Sequence, residues 1–86
     1  MKTLVTKKLV EEMVARVLSE DCISFAQARN ELGKITGRRP DRTTMHRWHR
    51  RGVAGAKLDA VRIGREFITS REAITRFIVA RQTASA

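Results

Sequence analysis

Apolar residues at Leu9, Val10, Met13, Val14 and Val17 recur at helical spacing and form one stripe, while Lys8, Glu11, Glu12 and Arg16 point away from it. The pattern predicts a first helix over residues 7–18, with Thr6 as its N-cap and Ser19, Glu20 and Asp21 as its break. A second helix has a sharper start. Ser24 followed by Gln27 makes a capping box, Ile23 is placed to staple onto Ala28, and Phe25, Ala28 and Leu32 share a face. Gly33 is the expected stop, which gives a helix of about two turns. Residues 33–41 hold two glycines and the only proline, so they are expected to form a loop with Ile35 as its anchor in the core. A third helix is expected after a cap at Asp41 or Thr43 and before Gly52, with Met45 and Trp48, three apart, as its buried side.

The period then changes. Leu58, Val61 and Ile63 before Gly64-Arg65, and Phe67-Ile68-Thr69 after it, predict a two-stranded hairpin with a type II′ turn. Its register sets Val61 opposite Ile68, Ile63 opposite Glu66, and Arg62 opposite Phe67. Thr69 with Glu72 reads as a second capping box, opening a last helix striped by Ile74, Phe77 and Ile78. The expected fold is mainly α with one two-stranded β-hairpin. Three segments follow: residues 1–22 as an N-terminal helical extension, 23–81 as the domain proper, and 82–86 as a frayed tail.

Charge changes this picture more than composition does. The 86 residues carry 18 Lys and Arg against nine Asp and Glu, a net charge of +9. The excess is concentrated. Residues 1–33 hold five basic and five acidic side chains, whereas residues 34–65 hold ten basic ones against only Asp41 and Asp59. Crowding like charges destabilises a fold through self-repulsion, so an anionic partner is the natural reading. Against it stands the plain alternative of a solvated basic face. The third helix argues for a partner, because little of it is apolar and its polar faces are studded with Arg and His.

Other chemistries find little support. The lone Cys22 excludes an internal disulfide and a cysteine-rich zinc site, and reads as a small buried residue beside Ile23. His46 and His49 have no acid or thiol nearby at ligand spacing, so no metal and no cofactor is expected. Trp48 reads as core rather than as a base-stacking platform. No phosphate-loop glycine pattern, paired carboxylates or nucleophile elbow is present, so an enzyme is not expected, and no small-molecule ligand is evident. No apolar run approaches the roughly 18 residues a membrane span requires, and acidic residues interrupt the N-terminus where a signal peptide needs an apolar stretch. A membrane partner is not expected either, since the basic residues are spread over loop, helix and hairpin rather than along one amphipathic helix.

A short helix followed by a cationic one and then a hairpin is the order of a winged helix-turn-helix. Residues 43–52, TTMHRWHRRG, with residues 61–74, VRIGREFITSREAI, resemble the excisionase/MerR-type winged domain. They are also similar to short basic bacterial proteins with an Arg-Trp-x-x-Arg-Gly signature. The loop of residues 33–41 is longer than that motif's tight turn, and the first helix is additional to it. The resemblance implies double-stranded DNA binding by a cytoplasmic, nucleoid-associated regulator or excisionase-like factor. Thr43, Thr44, His46, Arg47 and Arg50 are then the recognition-helix candidates. Arg38, Arg39, Arg42 and Arg51 are candidates for the DNA backbone, and Arg62 and Arg65 for the wing. Two alternatives stand beside this. The first helix could serve as a homodimerisation or protein-interaction surface, or the cations could bind RNA, although four aromatics and no Tyr make a poor stacking platform.

Overall fold

The computed structural model describes residues 2–85, with side chains from residue 7 to residue 83. In chain order the elements are α1 (Lys2–Ser19), β1 (Cys22–Ser24), α2 (Phe25–Thr36), α3 (Arg42–Arg50), β2 (Val61–Ile63), β3 (Glu66–Ser70) and α4 (Arg71–Ser85). Among the described residues this is a mainly helical protein with one three-stranded antiparallel sheet, ordered β1-β3-β2. The hairpin expected from the sequence is therefore two-thirds of a sheet. Its third strand, β1, runs antiparallel to β3 with Cys22 opposite Ser70, Ile23 opposite Thr69 and Ser24 opposite Ile68. Three residues with one buried position, Ile23, cannot show an alternation, and the pairing partner lies far along the chain.

The β2–β3 register is the expected one: Val61 faces Ile68, Arg62 faces Phe67 and Ile63 faces Glu66. Gly64 alone of the two turn residues has a positive φ, at 63°, as a type II′ turn requires. Such a turn fixes register locally, which is why the sequence could reveal it.

Helix ends depart from expectation in four places. Helix α1 begins at Lys2, so Thr6 lies inside it and does not cap it. Helix α2 runs through Gly33 to Thr36 and stops at Gly37, whose φ is 80° and whose N–H donates to the Gly33 carbonyl. Gly33 has a different reason to be glycine. A Cβ there would sit 3.1 Å from the Arg39 Cβ, because the loop after Gly37 folds back across the helix. The longer helix also carries Ile35 outward, where it is 81% exposed rather than anchored in the core. Helix α4 is capped by Ser70, not Thr69: the Ala73 N–H donates to Ser70 Oγ at 2.8 Å. Thr69 is fully buried and donates instead to the Asp59 carbonyl. The helix extends to Ser85, over most of the segment expected to fray, and Ala86 lies outside the described residues.

Other caps agree with the sequence. Ser24 Oγ accepts from the Gln27 N–H at 3.1 Å, although the Gln27 side chain turns to Glu31 rather than closing the box. Asp41 occupies the N-cap of α3 through its backbone, without a side-chain hydrogen bond.

The core collects Val17, Ile23, Phe25, Ala28, Leu32, Met45, Leu58, Ala73 and Phe77. Met45 is fully buried, and Trp48 packs half-buried against Phe77 with ring centroids 5.2 Å apart. On α4 the buried face is Ala73 and Phe77 with Ile74 beside them, while Ile78, expected in the stripe, stands exposed. Cys22 is exposed too, its thiol donating to the Val17 carbonyl. The α1 stripe is split. Val17 is buried and Met13 and Val14 pack on the core, but Leu9 and Val10 are 61% and 50% exposed. A helix of 18 residues is about 27 Å long, more than the β1 and β3 surfaces it rests on can cover.

Candidate functional site

The ion pairs show which cations are engaged in holding the fold together. Arg71 binds Asp21 and Glu31, and Arg76 binds Glu20 and Asp59. These four pairs tie the start of α4 to the α1–β1 junction, to α2, and to the segment before β2. The Arg76 guanidinium and the Ser70 hydroxyl hold the Glu20 carboxyl below its ordinary value, and Arg71 does the same to Glu31. Among the described residues every ion pair uses Arg71 or Arg76. None uses a cation of residues 34–65, and one of that segment's two acids, Asp59, is drawn off by Arg76.

Helix α3 displays cations that make no ion pair with the described residues. With Met45 facing the core, helical spacing puts Thr43, Arg47 and Arg50 on the opposite side, at i, i+4 and i+7, and all three are exposed. Arg51 follows on the same side at the helix end, exposed, while Thr44 is half-buried. In the loop before α3, Arg38 is exposed and Arg39 is committed to Asn30 Oδ1 at 3.0 Å. On the hairpin, the Arg62 Nε donates to the Gly64 carbonyl at 3.2 Å, closing the arginine onto its own turn.

The two histidines face inward. His49 Nδ1 lies 3.1 Å from the Leu58 carbonyl, which can only accept, so this nitrogen carries the proton. His46 stands half-buried and edge-on to Phe67 and Phe25, at centroid distances of 4.8 and 5.4 Å. Burial, and then the charges of Arg42, His49 and Arg50, hold its pKa below the ordinary 6.5. His46 is thus set apart from the outward row of Thr43, Arg47 and Arg50 with which the sequence grouped it.

His46 instead borders a cleft of about 290 Å³ between the starts of α2 and α3 and the β2–β3 turn. Arg29, Arg42 and Arg65 line it, with Phe25 and Phe67 as apolar walls and Glu66 at the hairpin. The sequence reading placed Arg42 and Arg65 in separate groups and left out Arg29. The available signal was weak: Arg29 is the only cation between Arg16 and Lys34, one turn after Phe25. Its Nε donates to the Pro40 carbonyl at 2.8 Å, which fixes the side chain between α2 and the loop. No group of three or more His, Cys, Asp or Glu side chains suited to a metal occurs among the described residues. Nor is any described helix long and apolar enough to cross a membrane.

Together these observations define a small, mainly helical protein with a three-stranded sheet, an arginine row on one short helix, and a cationic cleft beside it. The chain belongs to the family described as protein of unknown function (DUF1580), whose model matches residues 31–82, more than half of its length. The matched stretch starts within α2, takes in α3 and the hairpin, and runs through most of α4. No curated protein and no solved structure matches the chain.

Proposed function

We propose that this protein binds double-stranded DNA as a winged helix-turn-helix domain, without enzymatic activity, in the manner of an excisionase-like factor or a small transcriptional regulator. One observation carries the reading. The exposed row of Thr43, Arg47 and Arg50 on α3 makes no ion pair among the described residues, where the ion pairs are those of Arg71 and Arg76. Helix α3 is then the recognition helix, α2 the helix that supports it, and the β2–β3 hairpin the wing. Arginine on a helix in the major groove suits the acceptors on guanine, and exposed Arg38 and Arg51 suit phosphates. Double-stranded DNA titrated at several salt concentrations tests this. About six to eight phosphate contacts give a log–log slope of roughly −5 to −7, and a flat salt response rejects the reading.

The α1 surface favours a second copy of the chain as an additional partner. Val10 continues the face of Met13, Val14 and Val17 beyond the body of the fold, with Leu9 beside it, both exposed. Sedimentation of the whole chain should show a concentration-dependent dimer, and Val10→Lys should dissolve it. A chain that stays monomeric at about 0.1 mM, a dissociation constant weaker than roughly 5.5 kcal/mol of association, removes this surface from consideration.

A further inference from the structure

We propose that the cleft between α2, α3 and the β2–β3 turn is a site for a phosphoryl anion, and that His46 takes up a proton when the anion binds. The inference rests on the DNA reading only for the source of the phosphate.

Geometry comes first. Three arginines from three different elements border one cleft: Arg29 from α2, Arg42 from α3 and Arg65 from the turn. Arg29 is held by the bond from its Nε to Pro40, which leaves its terminal nitrogens for another acceptor. Arg42 and Arg65 have no carboxylate partner among the described residues. Glu66 is the one acid on the lining, and three cations outweigh it. A volume of about 290 Å³ admits a phosphate with several waters. Arginines lining such a space suit an oxyanion, which can accept paired N–H bonds from a guanidinium.

His46 is the unusual member of the lining. Its ring is fixed edge-on against Phe67 and Phe25, yet it makes no hydrogen bond with the described residues. The charged and titratable groups around it are Arg42, His49 and Arg50 on its own helix, Arg29 across from α2, and Arg65 and Glu66 on the hairpin. In the free protein partial burial, and then the positive neighbours, disfavour the charged ring. A phosphate offsets those positive charges and supplies an acceptor for a ring N–H, so both effects favour imidazolium. The bound state then holds a proton that the free state lacks. Affinity is highest below the pKa of free His46 and falls as pH rises through the higher pKa of the complex.

The test follows the ring resonances of His46 in the full chain through a pH titration, alone, with a short duplex, and with inorganic phosphate. The His46 midpoint should rise with either anion. Duplex affinity should be about tenfold tighter at about pH 5.5 than at about pH 8, and His46→Gln should remove that difference. If His46→Gln does not fold, the His46 midpoint in the native chain still decides. A duplex that binds without moving the His46 midpoint overturns the cleft and leaves the DNA reading intact. A midpoint moved by inorganic phosphate in a protein that binds no duplex supports the cleft with a free phosphate as ligand, and overturns the DNA reading. If neither anion moves the midpoint and no duplex binds, both are wrong.

Discussion

Replacing Gly52 by alanine is expected to destabilise the protein by more than about 3 kcal/mol. Gly52 follows α3 with φ at 76°, and its N–H donates to the Arg47 carbonyl. A Cβ at this position would lie 2.1 Å from the Ala56 carbonyl oxygen and 2.9 Å from its carbon. Those are backbone atoms of a tight turn in which Val53 and Ala56 exchange both N–H···O bonds, so they cannot move aside without breaking it. The same segment hands the chain from α3 to Leu58, whose N–H is bonded to the Trp48 carbonyl and whose side chain is buried. A domain of this length has roughly 4–13 kcal/mol of stability in total, so a loss of about 3 kcal/mol removes roughly a quarter to three quarters of that margin. Gly55→Ala is the matched control. Gly55 has φ at 84° but nothing within 4 Å of a Cβ, so only the backbone preference is lost, about 1–2 kcal/mol. Urea melts of the two variants followed by circular dichroism make the comparison. Equal losses would show that the contact with Ala56 does not govern this turn.

The double substitution Arg47→Ala and Arg50→Ala is expected to weaken duplex binding about 100-fold or more and to leave the melting temperature unchanged. Both side chains are exposed and neither makes an ion pair with the described residues, so their removal breaks no such bond in the fold. If both touch phosphates, the salt slope should also fall by about 1.8, at 0.9 for each contact. If they read guanines, the slope changes less and discrimination between duplex sequences is lost instead. Fluorescence anisotropy with labelled duplexes at two salt concentrations separates these outcomes. Unchanged affinity would reject α3 as the recognition helix. Arg76→Ala should behave in the opposite way. It strands Glu20, whose carboxylate is otherwise held by Arg76 and the Ser70 hydroxyl, so it should lower the melting temperature while the folded fraction binds DNA as before.

The contrast between these arginines shows where sequence reading stops. All of them count equally toward the +9. The charge map places the excess in residues 34–65, because acids are sparse there. It could not show that Asp59 pairs with Arg76, since the two meet only when α4 packs against the segment before β2. The histidines divide in the same manner. His46 and Arg47 are neighbours in sequence and alike in polarity, but 100° of helical rotation sends one toward Phe67 and the other toward solvent. Met45 and Trp48 mark the buried side of this helix, but two apolar residues leave open which polar neighbour is turned toward the hairpin.

What the chain determined by itself is local: the hairpin register set by Gly64, the cap at Ser24, the burial of Met45 opposite an arginine row, and the concentration of charge. Each depends on residues within a few positions of one another, where backbone preference and side-chain spacing act directly. Only the tertiary structure decided that β1 joins the sheet, that Gly33 serves a close approach and not a stop, that Ser70 caps α4, and that Arg29, Arg42, His46 and Arg65 share a cleft. The sheet and the cleft join segments distant in the chain, and Ser70 rather than Thr69 takes the cap because the buried Thr69 hydroxyl is drawn to the Asp59 carbonyl; such partners are chosen by which surfaces the packed core leaves within reach.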